Sequence, residues 1–255
     1  MTIHENERVY SVIVAVSFAL LFVHPASKTI ADPVMRRRYH LVQLATLLGA
    51  IVGAKIALLM GDKGWPMTPI GSWRDVVYSG RSITGGLLGG LLAGEVAKPA
   101  FGYTLPPNDH FAAKLPLSIA LGRIGCLLGG CCRGVALSVS PDRASWFYVR
   151  YDDGVARWPA QGVEIVFQLG AFALFVWLVR RRLLQGRVFC LYLVLYGVFR
   201  FATEFLRETP KVSFFSGSFS FSVYQLLCLV MIVLGAGLMV GRSRAARPSL
   251  EASPT

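Results

Sequence analysis

The sequence predicts an all-α protein, a polytopic membrane helical bundle of about seven transmembrane helices. Of its 255 residues, 54% are hydrophobic, and the mean hydropathy is +0.54. Apolar stretches approaching the roughly 20 residues that cross a bilayer recur, with short polar gaps, from Val9 to Val240. This apolar content exceeds what one soluble core requires.

The expected spans are 9–23, 39–60, 82–98, 112–130, 160–179, 188–206 and 221–241. The leading segment carries Glu5 and Glu7 against Arg8, with no small-residue cleavage site after it, so the first span reads as retained and not as a cleaved signal. Lys28 with Arg36, Arg37 and Arg38 follows the first span. Arg180, Arg181, Arg182 and Arg187 follow the fifth, and Arg242, Arg244 and Arg247 the seventh. Positive charge marks the cytoplasmic side, which puts the N-terminus and the 61–81, 131–159 and 207–220 loops outside and the C-terminus in the cytoplasm. Residues 1–241 then form a single transmembrane domain, and 242–255, rich in Ala, Ser and Pro, a short disordered cytoplasmic tail. Because the net charge of +12 sits in membrane-flanking clusters, the acidic partner it fits is the lipid bilayer and not nucleic acid.

Ionisable groups inside a membrane are costly, so each marks a candidate site. They are Lys55, Glu95, Arg123, Glu164, Arg200 and Glu204. At a rise of about 1.5 Å per residue, Arg123 and Arg200 each lie roughly 10 Å in from the external face, with Lys55, Glu164 and Thr84 also in the outer half. Glu95 falls in the inner half and reads as a local pair with Lys98. On the sixth span Tyr196, Arg200, Thr203, Glu204 and Arg207 recur at helical spacing and form a polar stripe. Mutual neutralisation of Arg200 and Glu204 four residues apart is the structural alternative, but it leaves Arg123 unexplained. Two arginines able to grip phosphate with paired donors suit a phospholipid headgroup.

Glycines supply a second signal: Gly85, Gly86, Gly89, Gly90 and Gly94 on the third span, and Gly122, Gly125, Gly129, Gly130 and Gly134 on or after the fourth. Small residues at spacings of four let helices approach closely. Near helix ends they also bare N–H groups for an anion. The five cysteines are an odd count, and Cys126, Cys131 and Cys132 cluster at the outer end of the fourth span. No histidine lies at ligand spacing, so they read as buried small packing residues. No metal or cofactor is expected.

The blocks GRIGCLLGGCCRG (122–134) and LYGVFRFATEFLRETP (195–210) resemble the prolipoprotein diacylglyceryl transferase family of bacterial inner membranes. SITGGLLGG (82–90) is similar to the family's HGG segment, RWPAQGVE (157–164) to its RHPSQLYE, and Gln225 also fits. The resemblance implies a seven-helix, multi-pass inner-membrane enzyme. It would transfer the diacylglyceryl group of phosphatidylglycerol to the lipobox cysteine of a preprolipoprotein, a step of lipoprotein biosynthesis. It also implies Arg123, Arg200, Glu204 and Tyr196 as catalytic residues, and Arg123, Arg200, Gly125, Gly134, Thr84, Gly85, Gly86 and Gln161 as substrate-binding residues.

The chain departs from the family pattern at several positions. Thr84 stands for the HGG histidine, Cys126 and Gly129 for two asparagines, Cys131 for a glutamate, and Trp158 for a histidine before proline. Threonine cannot act as a base near neutral pH. The competing readings are therefore a non-catalytic or altered-specificity anionic-phospholipid-binding protein of the same fold, and an outward-facing thiol protein using the cysteine cluster.

Overall fold

The computed structural model describes residues 12, 13, 15–17, 30–62, 82–105, 108–138, 147–210, 212–214 and 219–245. Most of the first expected span, nearly all of the 61–81 loop, His4, His24 and the expected tail beyond 245 lie outside the described residues. Among those described, six longer helices form: α1 (Pro33–Asp62), α2 (Ile83–Ala100), α3 (Asp109–Leu128), α4 (Ala160–Arg180), α5 (Val188–Thr203) and α6 (Val223–Ala245). Five stretches are long and apolar enough to cross a membrane: Pro33–Gly61, Asp109–Leu128, Ala160–Arg180, Val188–Leu206 and Val223–Ser243. The protein is a multi-pass membrane protein.

Local chemistry starts each helix. Asp32 accepts from the N–H groups of Val34 and Met35 at 3.0 and 3.2 Å, and Pro33 takes the first helical position of α1, where a missing N–H costs nothing. Ser82 caps α2 by accepting from Gly85 N, and Asn108 caps α3 by accepting from Phe111 N at 3.3 Å. Asp109 also receives the N–H groups of Gly186 and Val188, so the start of α3 satisfies donors of the loop that leads into α5.

The chain forms two compact units interleaved in sequence. One comprises Met1–Pro25, Asn108–Phe189 and Phe205–Glu208; the other comprises Ala26–Pro107, Cys190–Glu204 and Thr209–Thr255.

In the first unit α3 packs on α4. A two-stranded hairpin, β1 (Val149–Arg150) with β2 (Ala156–Arg157), closes through Gly154 at φ +71°. The segment after α3 runs beside it: Leu137 N donates to Ala156 O at 2.8 Å, Trp158 N to Val135 O at 3.0 Å and Val135 N to Leu206 O at 3.1 Å.

In the second unit α1 packs closely on α2. A Cβ on Gly49, Gly53, Gly85 or Gly89 would collide with the facing helix backbone, so the four glycines are what lets the two backbones meet. On the same helix Gly86 has only ordinary contacts, the nearest at 3.5 Å. A second hairpin, β3 (Val212–Phe214) with β4 (Phe219–Phe221), precedes α6. Glu95 pairs with Lys98 at 2.6 Å, as expected, and also with Arg242 at 2.8 Å.

Candidate active site

Among the described residues, each unit contains a buried arginine held by a buried carboxylate. In the first unit Arg123, near the end of α3 and 5% exposed, has its Nε 2.9 Å from Glu164 on α4, which is 2% exposed. A charge this deep needs such a partner, because an uncompensated one costs several kcal/mol, on the order of 3–5. One turn further along α4 Gln168 is also fully buried.

Gln161 opens the polar face of α4. Fully buried, it donates through Nε2 to Cys131 O at 2.6 Å and to Tyr151 Oη at 2.7 Å. It therefore anchors the loop that follows α3. Gly125 is buried in the last turn of α3 and its carbonyl accepts from Gly129 N at 2.8 Å. Gly134 is buried, a Cβ there would strike the Trp158 backbone, and it forms an isolated bridge with Arg207.

The loops of this unit carry a network of charges. Asp153 joins Arg133 and Arg157 at 2.9 Å each, and Arg157 reaches Glu208 at 3.0 Å. The Val155 N–H, followed by Arg157, holds the Asp153 carboxyl below its ordinary range. Arg133 stacks over the Tyr151 ring at 4.7 Å.

The sulfurs of Cys126, Cys131 and Cys132 all lie within 4.8 Å of one another. This corrects the expectation of buried packing residues: Cys126 and Cys131 are half-buried and Cys132 is exposed. Gly130 and Cys132 adopt left-handed φ of 64° and 57°, and these turn the chain back on itself. Hydrogen bonds from the other two thiols, followed by the fields of Arg123 and Arg207, hold the Cys132 thiol well below its ordinary range. Donating to its neighbours pushes Cys131 up.

In the second unit Arg200 Nη2 lies 2.7 Å from Glu204 Oε2, the two side chains being 6% and 1% exposed. The intrahelical pairing that the spacing allowed is thus formed. Glu204 is tied further: its Oε1 accepts from Thr209 Oγ1 at 2.8 Å and from Ser222 Oγ at 3.1 Å. Gln225 Oε1 accepts from Ser222 N at 2.9 Å, so the start of α6 is part of the same network. Tyr196 is fully buried and stacks on Tyr192, centroids 5.6 Å apart.

The expected stripe of the sixth span ends earlier than its spacing suggested. The α-helix stops at Thr203, Glu204–Leu206 turn as a 3₁₀ helix, and Arg207 lies beyond, in the first unit. A tighter turn changes the angle per residue, so a 3.6-residue period cannot carry through it.

Thr84, Gly85 and Gly86 open α2. Thr84 is 2% exposed and its Oγ1 lies 2.8 Å from Ser82 Oγ. The Gly85 and Gly86 N–H groups, expected to be bare for an anion, are both taken by Ser82, through Oγ at 3.3 Å and through its carbonyl at 3.0 Å. Ser82, Ser222 and Thr209 were not singled out in the sequence. Short hydroxyl side chains flanking helix starts were the available signal.

A family model described as prolipoprotein diacylglyceryl transferase matches residues 3–241. Proteins called phosphatidylglycerol–prolipoprotein diacylglyceryl transferase are similar to the chain. That of Cupriavidus metallidurans is 31% identical over 202 residues, covering 76% of this chain and 72% of the relative. That of Nitratidesulfovibrio vulgaris is 31% identical over 205 residues, covering 78% and 75%. That of Bordetella parapertussis is 29% identical over 209 residues, covering 78% and 76%.

Proposed function

Because the chain belongs to the prolipoprotein diacylglyceryl transferase family, we propose that it moves the diacylglyceryl group of phosphatidylglycerol onto the lipobox cysteine of a preprolipoprotein. The observation that carries this reading is the pair of buried, carboxylate-held arginines, Arg123 with Glu164 and Arg200 with Glu204, each arginine lying in one of the two blocks that resemble the family motifs.

In the proposed reaction the substrate thiolate attacks the glycerol carbon that bears the phosphate. A C–S bond forms, the C–O bond breaks, and glycerol 1-phosphate leaves with the electron pair. Charge grows on the leaving phosphate, so cationic donors aimed at it lower the barrier. Arg123 and Arg200 supply them. Glu164 and Glu204 fix each guanidinium's orientation and keep it charged where burial opposes charge. Tyr196 contributes a phenol O–H for a substrate oxygen. Gln161, Gly125, Gly134, Thr84, Gly85 and Gly86 shape the substrate site.

Glu204 is held by three donors from Arg200, Thr209 and Ser222. It therefore serves as an orienting carboxylate and not as the group that takes the thiol proton. The setting is the bacterial inner membrane, with residues 1–241 as one transmembrane domain of seven spans, the N-terminus and the site loops outside and the C-terminus in the cytoplasm. Thr84, in place of a histidine, favours a second reading, a phospholipid-binding member without the transfer step.

Incubating the purified protein with phosphatidylglycerol and a lipobox peptide separates the two. A peptide heavier by one diacylglyceryl group supports transfer. Phosphatidylglycerol bound with the peptide unchanged supports the second reading.

A further inference from the structure

We propose that Cys126, Cys131 and Cys132 form a trigonal three-thiolate site for a soft monovalent cation, cuprous copper. The three sulfurs lie within 4.8 Å of one another and, among the described residues, no His, Asp or Glu joins them. A metal–sulfur bond of about 2.3 Å spaces trigonal sulfurs about 4.0 Å apart, so the cluster needs to contract by less than about 1 Å. Among the described residues no disulfide consumes any of the three.

The donor set selects the metal. Thiolates favour soft ions. Zinc in a structural site takes four ligands and would be left one short here, whereas three thiolates complete the shell of Cu(I). The backbone is shaped for this: left-handed φ at Gly130 and Cys132 folds Cys131 and Cys132 back over Cys126, and Gln161 pins the Cys131 carbonyl. Exposure of Cys132 gives the ion a way in.

Charge in the surroundings agrees. The thiols still protonated give up their protons and three Cu–S bonds form with no change of oxidation state, which leaves a complex of net charge −2. Arg207 is 8% exposed, and its Nε and Nη1 have no hydrogen-bond partner among the described residues. Both Arg207 and Arg123 lie close enough to act electrostatically on Cys132. A buried cation with vacant donors fits an anionic metal complex better than it fits the cysteine cluster without an ion.

The test is an anaerobic titration of the reduced, detergent-solubilised full chain with Cu(I) supplied as its acetonitrile complex, read by bound copper per chain, proton release and X-ray absorption. One copper per chain, between two and three protons released and three sulfur scatterers are expected. Cys126→Ser, Cys131→Ser and Cys132→Ser should each lose at least about tenfold in affinity against a competing chelator, while Cys190→Ser should not. If the Cys126→Ser chain, altered inside a helix, fails to fold, exposed Cys132→Ser decides. Absence of stoichiometric copper, equal retention by Cys132→Ser and the native chain, or Zn(II) displacing bound Cu(I) would overturn the proposal. Its failure leaves the transfer assay untouched, and loss of transfer leaves copper binding untouched.

Discussion

Arg123 Nε sits 2.9 Å from a carboxylate oxygen of Glu164, with both side chains more than nine-tenths buried, so neither charge has water to fall back on. Glu164→Gln should therefore destabilise the protein by about 3–5 kcal/mol, the usual cost of stranding one member of a buried pair. Arg123→Gln combined with Glu164→Gln should recover part of it. Thermal unfolding in detergent measures this, and a single variant as stable as the native chain would remove the pair from the account.

For phospholipid binding, Arg123→Ala and Arg200→Ala should each weaken affinity for phosphatidylglycerol by about 10- to 150-fold, the equivalent of roughly 1.5–3 kcal/mol for a charge-assisted contact. Lysine at either position should restore only part, because it lacks the two-donor fork. Arg181→Ala, at an exposed position, is the control. Equal binding by all three alanine variants would dismiss the arginines as headgroup ligands.

Thr84→His tests the missing histidine. A positioned base typically contributes about 10²- to 10⁴-fold in rate, and a free thiol with a pKa near 8.5 ionises unaided at high pH, so the gain should be larger at neutral pH. Thr84 is 2% exposed, and a larger ring there should also cost about 1–3 kcal/mol in stability. Peptide transfer followed from pH 6.5 to 9 decides. A variant that folds and transfers at the native rate throughout would place the base elsewhere.

The α1–α2 contact predicts a stability effect with no ligand involved. Gly89→Val puts a branched side chain against the Gly49 and Gly53 backbone and should lower Tm, whereas Gly86→Ala, with only ordinary contacts, should not. Unfolding scans of the two variants side by side make the comparison. An equal response would mean that the close approach does not limit stability.

Membrane sidedness is checked by labelling. In a background without native cysteines, Phe147→Cys should react with an impermeant thiol reagent in spheroplasts and Gln185→Cys should not; both side chains are exposed. Reaction of Gln185→Cys alone would invert the proposed arrangement.

Helices were legible because length and hydropathy write them directly: five apolar stretches fall where expected spans lie. Arg200 and Glu204 could be paired from spacing alone, since an interval of four residues on a helix leaves little choice. Arg123 and Glu164 could not, because α3 and α4 lie apart in sequence and only packing selects that partner. The sixth span runs to Leu206 as its hydropathy indicates, but the polar stripe does not carry through to Arg207, because Glu204–Leu206 tighten into a 3₁₀ turn with no proline or glycine to announce it. The cysteine cluster was visible as spacing, but its geometry depends on left-handed φ at Cys132, which composition does not reveal. At Gly85 and Gly86 the N–H groups are occupied by Ser82 just before them, a capping arrangement set by the backbone at the helix start and not by the glycines.

The ion pairs of Glu95 carry a consequence for the order of events during synthesis. Arg242 trails Glu95 by 147 residues, which at about 5–20 residues per second is a delay of roughly 7–30 s. Through that interval Glu95 lacks its distant guanidinium, and a carboxylate on a largely apolar helix favours water over an apolar setting. Lys98, three residues on and 2.6 Å away in the finished protein, emerges almost at once and is able to neutralise it. The short-range partner thus neutralises the carboxylate from the start, before the last helix brings its distant guanidinium.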